Sequence, residues 1–599
     1  MTFTNQMGDL LLHMTNCSVN ESFVFKLSLK EYMLRILILG SRVNNYDQRT
    51  KKISAADIDY INEQITAGHG AEIHNIVHDV YMDSRAPKLD SSLLVIALLC
   101  KATDKAVSKM GLQLLTKFRT ISHLYSWKNF HSAIVNPATG EKSKGFGRAV
   151  KREISNWTLH QSAADLAYQI TKYMSREGWS FKNILQCTHI CTKTGDDRVF
   201  EPRKAGAKTS SKPKVNQHNV PPTEMDLVLR YAVNGFESME MLAKKAGLEQ
   251  DGSVYTYLKA VHDAKHCIAD NKTALIALVY QHKLTREQVP TWALTETDIL
   301  TALLLNTEKT RVTMPLTALL RNLGNMTAHL VFAETSTLQL VLNHLLNPVI
   351  IKNAHIHPVS VLMAWFTYRS GAGHKGHNRW VPENTLVKTL EEMFYLSFKN
   401  VAPTGKRICF LIDCSGSMTG PSLCEGVTNA EAAALLAMIF ARSETDNEHS
   451  PSHSFYLFTS IKKDYVGRTY YTGCGSNTGL TDVSDVIDAN APLNTVLKTV
   501  QSSDWGTTDI SMGILDALKY KRKYDAFVVI TDNDVNSGIK PSEAMQQYRV
   551  GMKMPTAKLA VFATKGSDVT IADPMDIHML DMCGFDSHGP KILQEFIRD

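Results

Sequence analysis

Residues 408–418 read Ile-Cys-Phe-Leu-Ile-Asp-Cys-Ser-Gly-Ser-Met, an apolar run that ends abruptly in Asp413-x-Ser415-x-Ser417. Such a run reads as a buried strand of a parallel sheet, and open α/β folds place their ligands at the carboxyl ends of these strands. One carboxylate and two hydroxyls at alternate positions are oxygen donors for a hard divalent cation that keeps some of its water. Two later segments end in the same chemistry. Trp505-Gly506-Thr507-Thr508-Asp509 precedes a helical pattern at Ile510, Ile514, Leu515 and Leu518, and Asp525–Ile530 is a second apolar strand running into Thr531-Asp532. The competing reading is a set of helix caps, because Ser, Thr and Asp also serve there. Three such loops in order, each at a strand or helix end, favour a cation.

A different chemistry is laid out earlier in the chain. Residues 141–215 hold 15 Lys+Arg against 7 Asp+Glu. Helical spacing places Ala163, Leu166, Ala167 and Ile170 on one face and Asp165, Gln169, Lys172 and Arg176 on the other. A following helix, expected to be capped by Ser180, turns Ile184, Leu185 and Thr188 inward and lines Lys182, Gln186 and His189 along its outer stripe. Arg148, Lys151 and Arg152 form a third basic patch. A phosphate backbone rewards such surfaces by counterion release, so binding falls with salt. An isolated basic stripe is often no more than a solvated face; three consecutive elements agree here. Cys187-x-His189-x-Cys191 invites a zinc reading. On a helix, however, both cysteines fall near Ile184 while His189 points well over about 100° away, and no fourth ligand stands at zinc-finger spacing. Zinc is not expected.

The elements that must position these groups fall into two kinds. With 599 residues, 44% hydrophobic and 21% charged, the chain is long enough for several well-buried domains. No apolar run reaches membrane-spanning length; Ser92–Cys100 is about the longest and reads as a buried helix. The first residues carry no basic and apolar leader pattern, and residues 1–21 are expected to be loosely ordered. The ten cysteines are scattered and read as reduced thiols of an intracellular protein. From about residue 26 to 400 the pattern is helix after helix, with a central helix over Ala86–Ala106 and a late one over Pro382–Phe398 whose proline suits a first turn. Stacked helix pairs in a HEAT-like solenoid fit this, although no fixed-period repeat is found. Glu201–Pro222 and Ser370–Arg379 read as loops. Beyond Val401–Gly405, strands (407–413, 453–459, 525–531, 557–563) alternate with helices (428–443, 493–502, 509–520, 541–550, 590–597), which implies a mainly parallel sheet covered on both faces. The expected domains are 22–400 and 401–599. Residues 401–599 hold 18 Lys+Arg against 24 Asp+Glu, so the net charge of +6 leaves about +12 on residues 1–400. The helical part is therefore the expected polyanion binder.

The Asp413 pattern and its two companion loops resemble the metal-ion-dependent adhesion site of von Willebrand factor A (vWA) domains. The whole chain from about residue 22 onward is similar to the Ro (SS-A/Ro) ribonucleoprotein autoantigen family, which joins a TROVE domain of helical repeats to a vWA-like domain. The resemblance is carried by Met314–Gly324, Ala354–Pro358, Pro403–Arg407, Thr570–Pro574 and Met579–Asp586, and earlier by Thr171–Tyr173, Gly178–Ser180 and His189. It implies a monomeric ring of helical repeats closed by the vWA-like domain. It further implies Y RNA on the basic outer surface and the single-stranded 3′ ends of misfolded small noncoding RNAs in a central hole. Lys172, Arg176 and His189 match family positions for RNA contact. Ser415, Ser417 and Thr508 match direct metal ligands, and Asp413 and Asp532 match acids that act through water, with Mg²⁺ the expected ion. Three departures stand out: the basic insert Glu201–Pro222, the hard-to-align segment Ser443–Thr481, and Phe181 and Met174 where polar residues are expected.

Three function classes compete. The first is a non-catalytic RNA-binding protein of RNA quality control, expected in the cytoplasm with the nucleus as a second compartment. The second is a metal-dependent interaction module that scaffolds RNA-processing partners, one of which donates a carboxylate to the cation. The third, a metal-dependent nuclease, is disfavoured because Asp413 and Asp532 supply few acids for a paired-metal site.

Overall fold

Ile408–Asp413 is buried at every position and forms an inner strand of a seven-stranded sheet. The structure, a computed structural model, describes residues 29–39, 45–47, 55–82, 86, 89–135, 140, 142, 145–190, 221–373, 378–401, 403–420, 428–443, 453–458, 462–463, 469–470, 480–487, 491–492, 495–496, 498, 509–531, 539–564, 571–573, 575–583 and 589–598. The described strands are β1 (Asn45–Asp47), β2 (Ser175–Arg176), β3 (Trp179–Ser180), β4 (Ile408–Asp413), β5 (Ser454–Phe458), β6 (Lys462–Lys463), β7 (Thr469–Tyr470), β8 (Leu480–Asp482), β9 (Ala526–Thr531), β10 (Lys558–Ala563) and β11 (Met579–Cys583). The chain divides into two compact units: residues 1–54, 348–376 and 384–599, and residues 55–347 with 377–383.

The α/β unit has strand order β1-β11-β10-β9-β4-β5-β8. All its pairings are parallel except β5 with β8. Helix Asn429–Ser443 packs on β4 and β9 and is buried along nearly its whole length. Helix Ser511–Lys519 packs with helix Pro541–Met552 and presses Gly513 onto Leu411 of β4, where a Cβ would lie 2.3 Å from Leu411 Cδ2. Those two helices cover a core that includes Val529, Phe527, Ile514 and Met545. Purely apolar strands with helices on the sheet follow from the continuous hydrophobic runs read in the sequence. Three strands of this sheet were not anticipated, one of them β8, a short edge strand antiparallel to β5. β11 follows a polar stretch, and β1 is borrowed from the start of the chain, pairing Asn45–Asp47 with Asp581–Cys583. Helix Leu29–Leu39 belongs to the same unit, with Arg35 donating to the Ile577 carbonyl. Helices Pro358–Arg369 and Asn384–Ser397 pack together there as well. Arg442 stacks over Tyr395 at 4.4 Å and Phe398 at 5.7 Å, and Asn400 Nδ2 donates to the Ile351 and Ile356 carbonyls at 3.0 and 2.9 Å. Pro382 lies ahead of its helix rather than in its first turn.

The second unit is almost wholly helical. Its central helix is Asp90–Cys100, buried from Ser91 to Cys100. The expected span to Ala106 breaks because Asp104 caps a new helix, Lys105–Gln113, accepting the Ala106 N–H at 2.7 Å. The basic segment is fixed from several sides. Trp157 Nε1 donates to the Phe118 carbonyl at 2.8 Å, and Gln169 Oε1 accepts the Ile121 N–H at 2.8 Å. The fully buried Gln288 donates to Thr171 Oγ1 at 2.7 Å and to the Tyr257 hydroxyl at 2.6 Å. Among the described residues no helix is long and apolar enough to cross a membrane.

Candidate functional site

The carboxyl ends of β4 and β9 meet where the sheet switches direction, since β4 is followed outward by β5 and β9 by β10 on the other side. Asp413, fully buried, ends β4. Its Oδ1 accepts the Ser415 backbone N–H at 2.8 Å and its Oδ2 accepts the Thr531 hydroxyl at 2.6 Å. The carboxylate is thus held rigidly behind the loop. Ser415 Oγ and Ser417 Oγ stand 3.1 Å apart. That is a hydrogen-bonding distance, and it is also close to the about 3.0 Å between neighbouring ligands of an octahedron with metal–oxygen bonds of about 2.1 Å. The Cys414 thiol is buried and donates to the Phe458 carbonyl at 3.1 Å, so it points no sulfur at the site. Asn429, buried beside the loop, leaves its Oδ1 with no hydrogen-bond partner among the described residues. No group of three or more His, Cys, Asp or Glu able to hold a metal is found among the described residues. The hydroxyl-rich set fits Mg²⁺ and not a soft ion. Thr508 and Asp532, the other two expected members, lie outside the described residues.

The basic surface differs in detail from the helical stripes expected. Helix Ala163–Lys172 ends at Lys172, and Arg176 sits instead in β2, half-exposed, opposite Trp179 of β3. The helix stops because Tyr173 leaves helical geometry and Glu177 and Gly178 take positive φ in the hairpin turn. His189 also leaves its stripe. It is the left-handed C-cap of helix Phe181–Thr188, φ 55°, and is exposed. Ser180 caps that helix in a reciprocal pair with Asn183, as the sequence indicated. Phe181 is buried, which accounts for an apolar residue there, whereas Met174 is exposed and its sulfur receives Lys265 at 2.9 Å.

The structure brings Lys172 and Arg176 together with Arg119, a residue the sequence reading missed. Burial, and then the positive charges of Arg119 and Arg176, push His123 down to about 4, so the ring is neutral at pH 7. His123 Nδ1 lies 2.8 Å from the Tyr81 hydroxyl, and Arg119 stacks over the Tyr81 ring at 5.0 Å. Burial works against the Lys172 ammonium, but the Tyr168 hydroxyl it donates to at 2.8 Å, with Tyr173 and Glu287, holds its pKa above the ordinary value. Its ammonium also lies 5.1 and 5.5 Å from the Tyr168 and Tyr173 ring centroids. Beside it opens a cleft of about 740 Å³ lined by Phe118, Arg119, Trp157, Asp165, Tyr168 and Tyr173 among others. Arg148 and Arg152 are exposed on helix Arg148–Leu159 and Lys151 is half-buried, with Arg152 tied to Glu153 at 2.8 Å. Lys182 is exposed in the first turn of its own helix. Lys128 could not have been found from sequence: it is buried between Phe146 and Trp179, 4.4 and 4.6 Å from their rings, and donates to Ser132 Oγ at 2.6 Å. Cys187 is a free, half-buried thiol, and Cys191 lies outside the described residues.

A helical domain joined to a switch-point α/β domain with Asp-x-Ser-x-Ser at its crevice defines a TROVE-plus-vWA architecture. The TROVE domain family matches residues 19–367, and the Ro60 vWA domain matches residues 407–597. The chain belongs to the TROVE (Ro60) family. It is similar to the RNA-binding protein RO60 of Caenorhabditis elegans, 28% identical over 612 residues that cover 96% of this chain and 89% of that protein. The RNA-binding protein RO60 of Deinococcus radiodurans is 28% identical over 587 residues, 96% and 94% of the two chains. The crystal structure of the Deinococcus radiodurans RO (RSR) protein superposes with a TM-score of 0.74 at 27% identity, over 95% of this chain and 99% of that one.

Proposed function

We propose that this protein binds RNA and performs no chemistry on it. The observation that carries this reading is an aromatic cleft of the helical unit with cations about it: Arg119 and Arg176 act on a neutral His123, and Lys172 lies over the Tyr168 and Tyr173 rings that line the cleft. Cations beside exposed rings serve phosphates and unpaired bases at once. The relatives named as RNA-binding proteins support it. The finer reading is that structured small RNAs of the Y RNA type lie on this surface and that the protein takes the single-stranded 3′ ends of misfolded noncoding RNAs. A cation of the Mg²⁺ type at Ser415 and Ser417, with Asp413 behind, gives the α/β unit a second role: a protein partner's carboxylate completes the coordination and brings RNA-processing factors to the bound RNA.

The test is gel-shift titration of a Y RNA stem at rising salt. Each phosphate contact contributes about 0.9 to the slope of log K against log salt. Lys172→Gln with Arg176→Gln should weaken binding and reduce that slope by about two. Unchanged affinity and slope would remove the interface from this surface.

A further inference from the structure

The edge of the sheet opposite Asp413 collects cations. Residues 401–599 are acidic as a whole, with 18 Lys+Arg against 24 Asp+Glu. Yet the segments leading into β4, β9 and β10 carry Lys406, Arg407, Lys519, Lys521, Arg522, Lys523, Lys553 and Lys558. Backbone and side-chain bonds tie these segments into one surface. The Asp525 N–H donates to the Arg407 carbonyl at 2.8 Å and the Lys558 N–H to the Asp525 carbonyl at 2.9 Å. The Tyr548 hydroxyl, from helix Pro541–Met552, donates to the Arg522 carbonyl at 2.8 Å and accepts the Tyr524 N–H at 2.7 Å. Three of the cations are engaged: Arg407 with Asp525, Arg522 with Asp516, and Lys558 with the Phe596 carbonyl. Lys406, Lys519, Lys521, Lys523 and Lys553 form no ion pair among the described residues. Asp482 and Asp485, at the β8 end, bound the patch on one side.

Helix ends attract cations without any ligand, and two helices, Ser511–Lys519 and Pro541–Met552, end here. Each end carries about half a negative charge. About one charge in total leaves most of five lysines without a local reason. Within this cluster Tyr520 is 57% exposed, with Lys519 Nζ and Arg522 Cζ each 5.1 Å from its ring centroid. An exposed ring amid unpaired cations is the platform on which single-stranded nucleic acid binds, bases on the ring and phosphates on the lysines. A duplex presents no free base face, and an acidic peptide or a lipid headgroup gives Tyr520 no part.

We propose that this amino edge of the sheet is a second RNA contact, one that takes single-stranded RNA. Lys519, Lys521, Lys523 and Lys553 hold its backbone and Tyr520 stacks a base. The proposal goes beyond the helical interface, which serves structured RNA, and needs neither that interface nor the cation.

The test uses the full chain, a fluorescent oligouridylate, a duplex RNA stem and phosphatidylserine vesicles. In Lys519→Glu/Lys521→Glu/Lys523→Glu, oligouridylate affinity should fall at least about tenfold and its salt slope by about two, at about 0.7 per contact. Tyr520→Ala should lower oligouridylate affinity about fivefold or more with the slope kept, and both variants should melt like the parent. Oligouridylate binding untouched by both variants overturns the proposal, and so does a loss confined to vesicle binding. Lys172→Gln should weaken the stem alone. If the stem still binds and responds to Lys172→Gln while the edge variants are silent, only the second contact fails. If neither RNA binds the parent, the RNA-binding reading fails with it.

Discussion

Asp581 offers a sharp test of how the α/β unit is held. It lies in β11, buried, in register with Val561 of β10 and Asn45 of β1. Burial raises its carboxyl from 3.8 to about 7, against the opposing pull of the Ile571 N–H that Oδ2 accepts at 3.2 Å. Between about pH 4 and pH 7 the folded chain therefore holds a proton that the unfolded chain has released. The stabilisation is fully present below about pH 4, declines as pH rises, and is lost above about pH 7. A change from 3.8 to about 7 corresponds to about 4 kcal/mol over that interval, as an upper figure. Asp581→Asn mimics the protonated form at every pH and keeps an oxygen for the Ile571 N–H. Its added NH₂ brings a desolvation cost that does not vary with pH. Melts of both proteins at about pH 5, 6, 7 and 8 isolate the effect, because other titrating groups cancel in the difference. The variant should gain on the parent by a few kcal/mol between about pH 5 and pH 8. A difference that stays flat with pH would refute a buried neutral carboxyl in β11.

Three further outcomes follow from the packing and the site. Gly513→Ala drives a Cβ to 2.3 Å from Leu411 Cδ2; chemical denaturation should show a loss of about 1–3 kcal/mol. Millimolar Mg²⁺ should raise the melting temperature of the parent, with about 2.7 kcal/mol of stabilisation at a hundredfold excess over Kd; Ser415→Ala should abolish that rise while leaving the metal-free melt close to the parent. A fragment of residues 401–599 lacks β1 and the Tyr395 and Phe398 rings under Arg442. It should melt well below the full chain in calorimetry and bind a dye for exposed apolar surface.

The sheet was legible where its strands are apolar on both faces. β4, β9 and β10 were read within about a residue of their bounds, because a continuous hydrophobic run between turn residues has few other uses. Asp413, Ser415 and Ser417 were legible for the same reason: a carboxylate ending such a strand has to sit at the sheet edge. β11 and β1 were not. Met579–Cys583 contains the buried Asp581, which breaks the apolar signal, and Asn45–Asp47 is a strand only by virtue of a partner more than five hundred residues away. In the helical unit, Lys172 was read correctly as a surface cation, but Arg176 and His189 were assigned to helix stripes. A hairpin turn and a left-handed cap intervene, and neither Glu177 nor His189 advertises positive φ as a glycine would. Arg119 escaped because its role depends on a turn brought over the basic segment by Trp157 and Gln169.

Net charge by segment pointed to the helical part as the polyanion binder, and the fold qualifies that arithmetic in both directions. The excess of residues 1–400 includes Lys101 and Lys128, which are buried. Burial, and for Lys101 the neighbouring Lys128, pushes their pKa values down, so neither meets a phosphate on the surface. Arg152, Lys244, Lys259 and Lys272 are matched by adjacent acids. Arg119 and Arg176 act on the same neutral His123, and Lys172 is held on the Tyr168 and Tyr173 rings that line the adjoining cleft, so it is placement and not number that sets this surface apart. The deficit of residues 401–599 hides the opposite case. Its strands are nearly all parallel, so every turn entering β4, β9 and β10 opens on one edge and every turn leaving them on the other. The lysines of these entering turns make a positive edge in a negative domain, at the end of the sheet opposite Asp413, Ser415 and Ser417. A parallel sheet thus converts a sequence-wise alternation of charge into two surfaces of opposite character, one suited to a cation and the other to a polyanion.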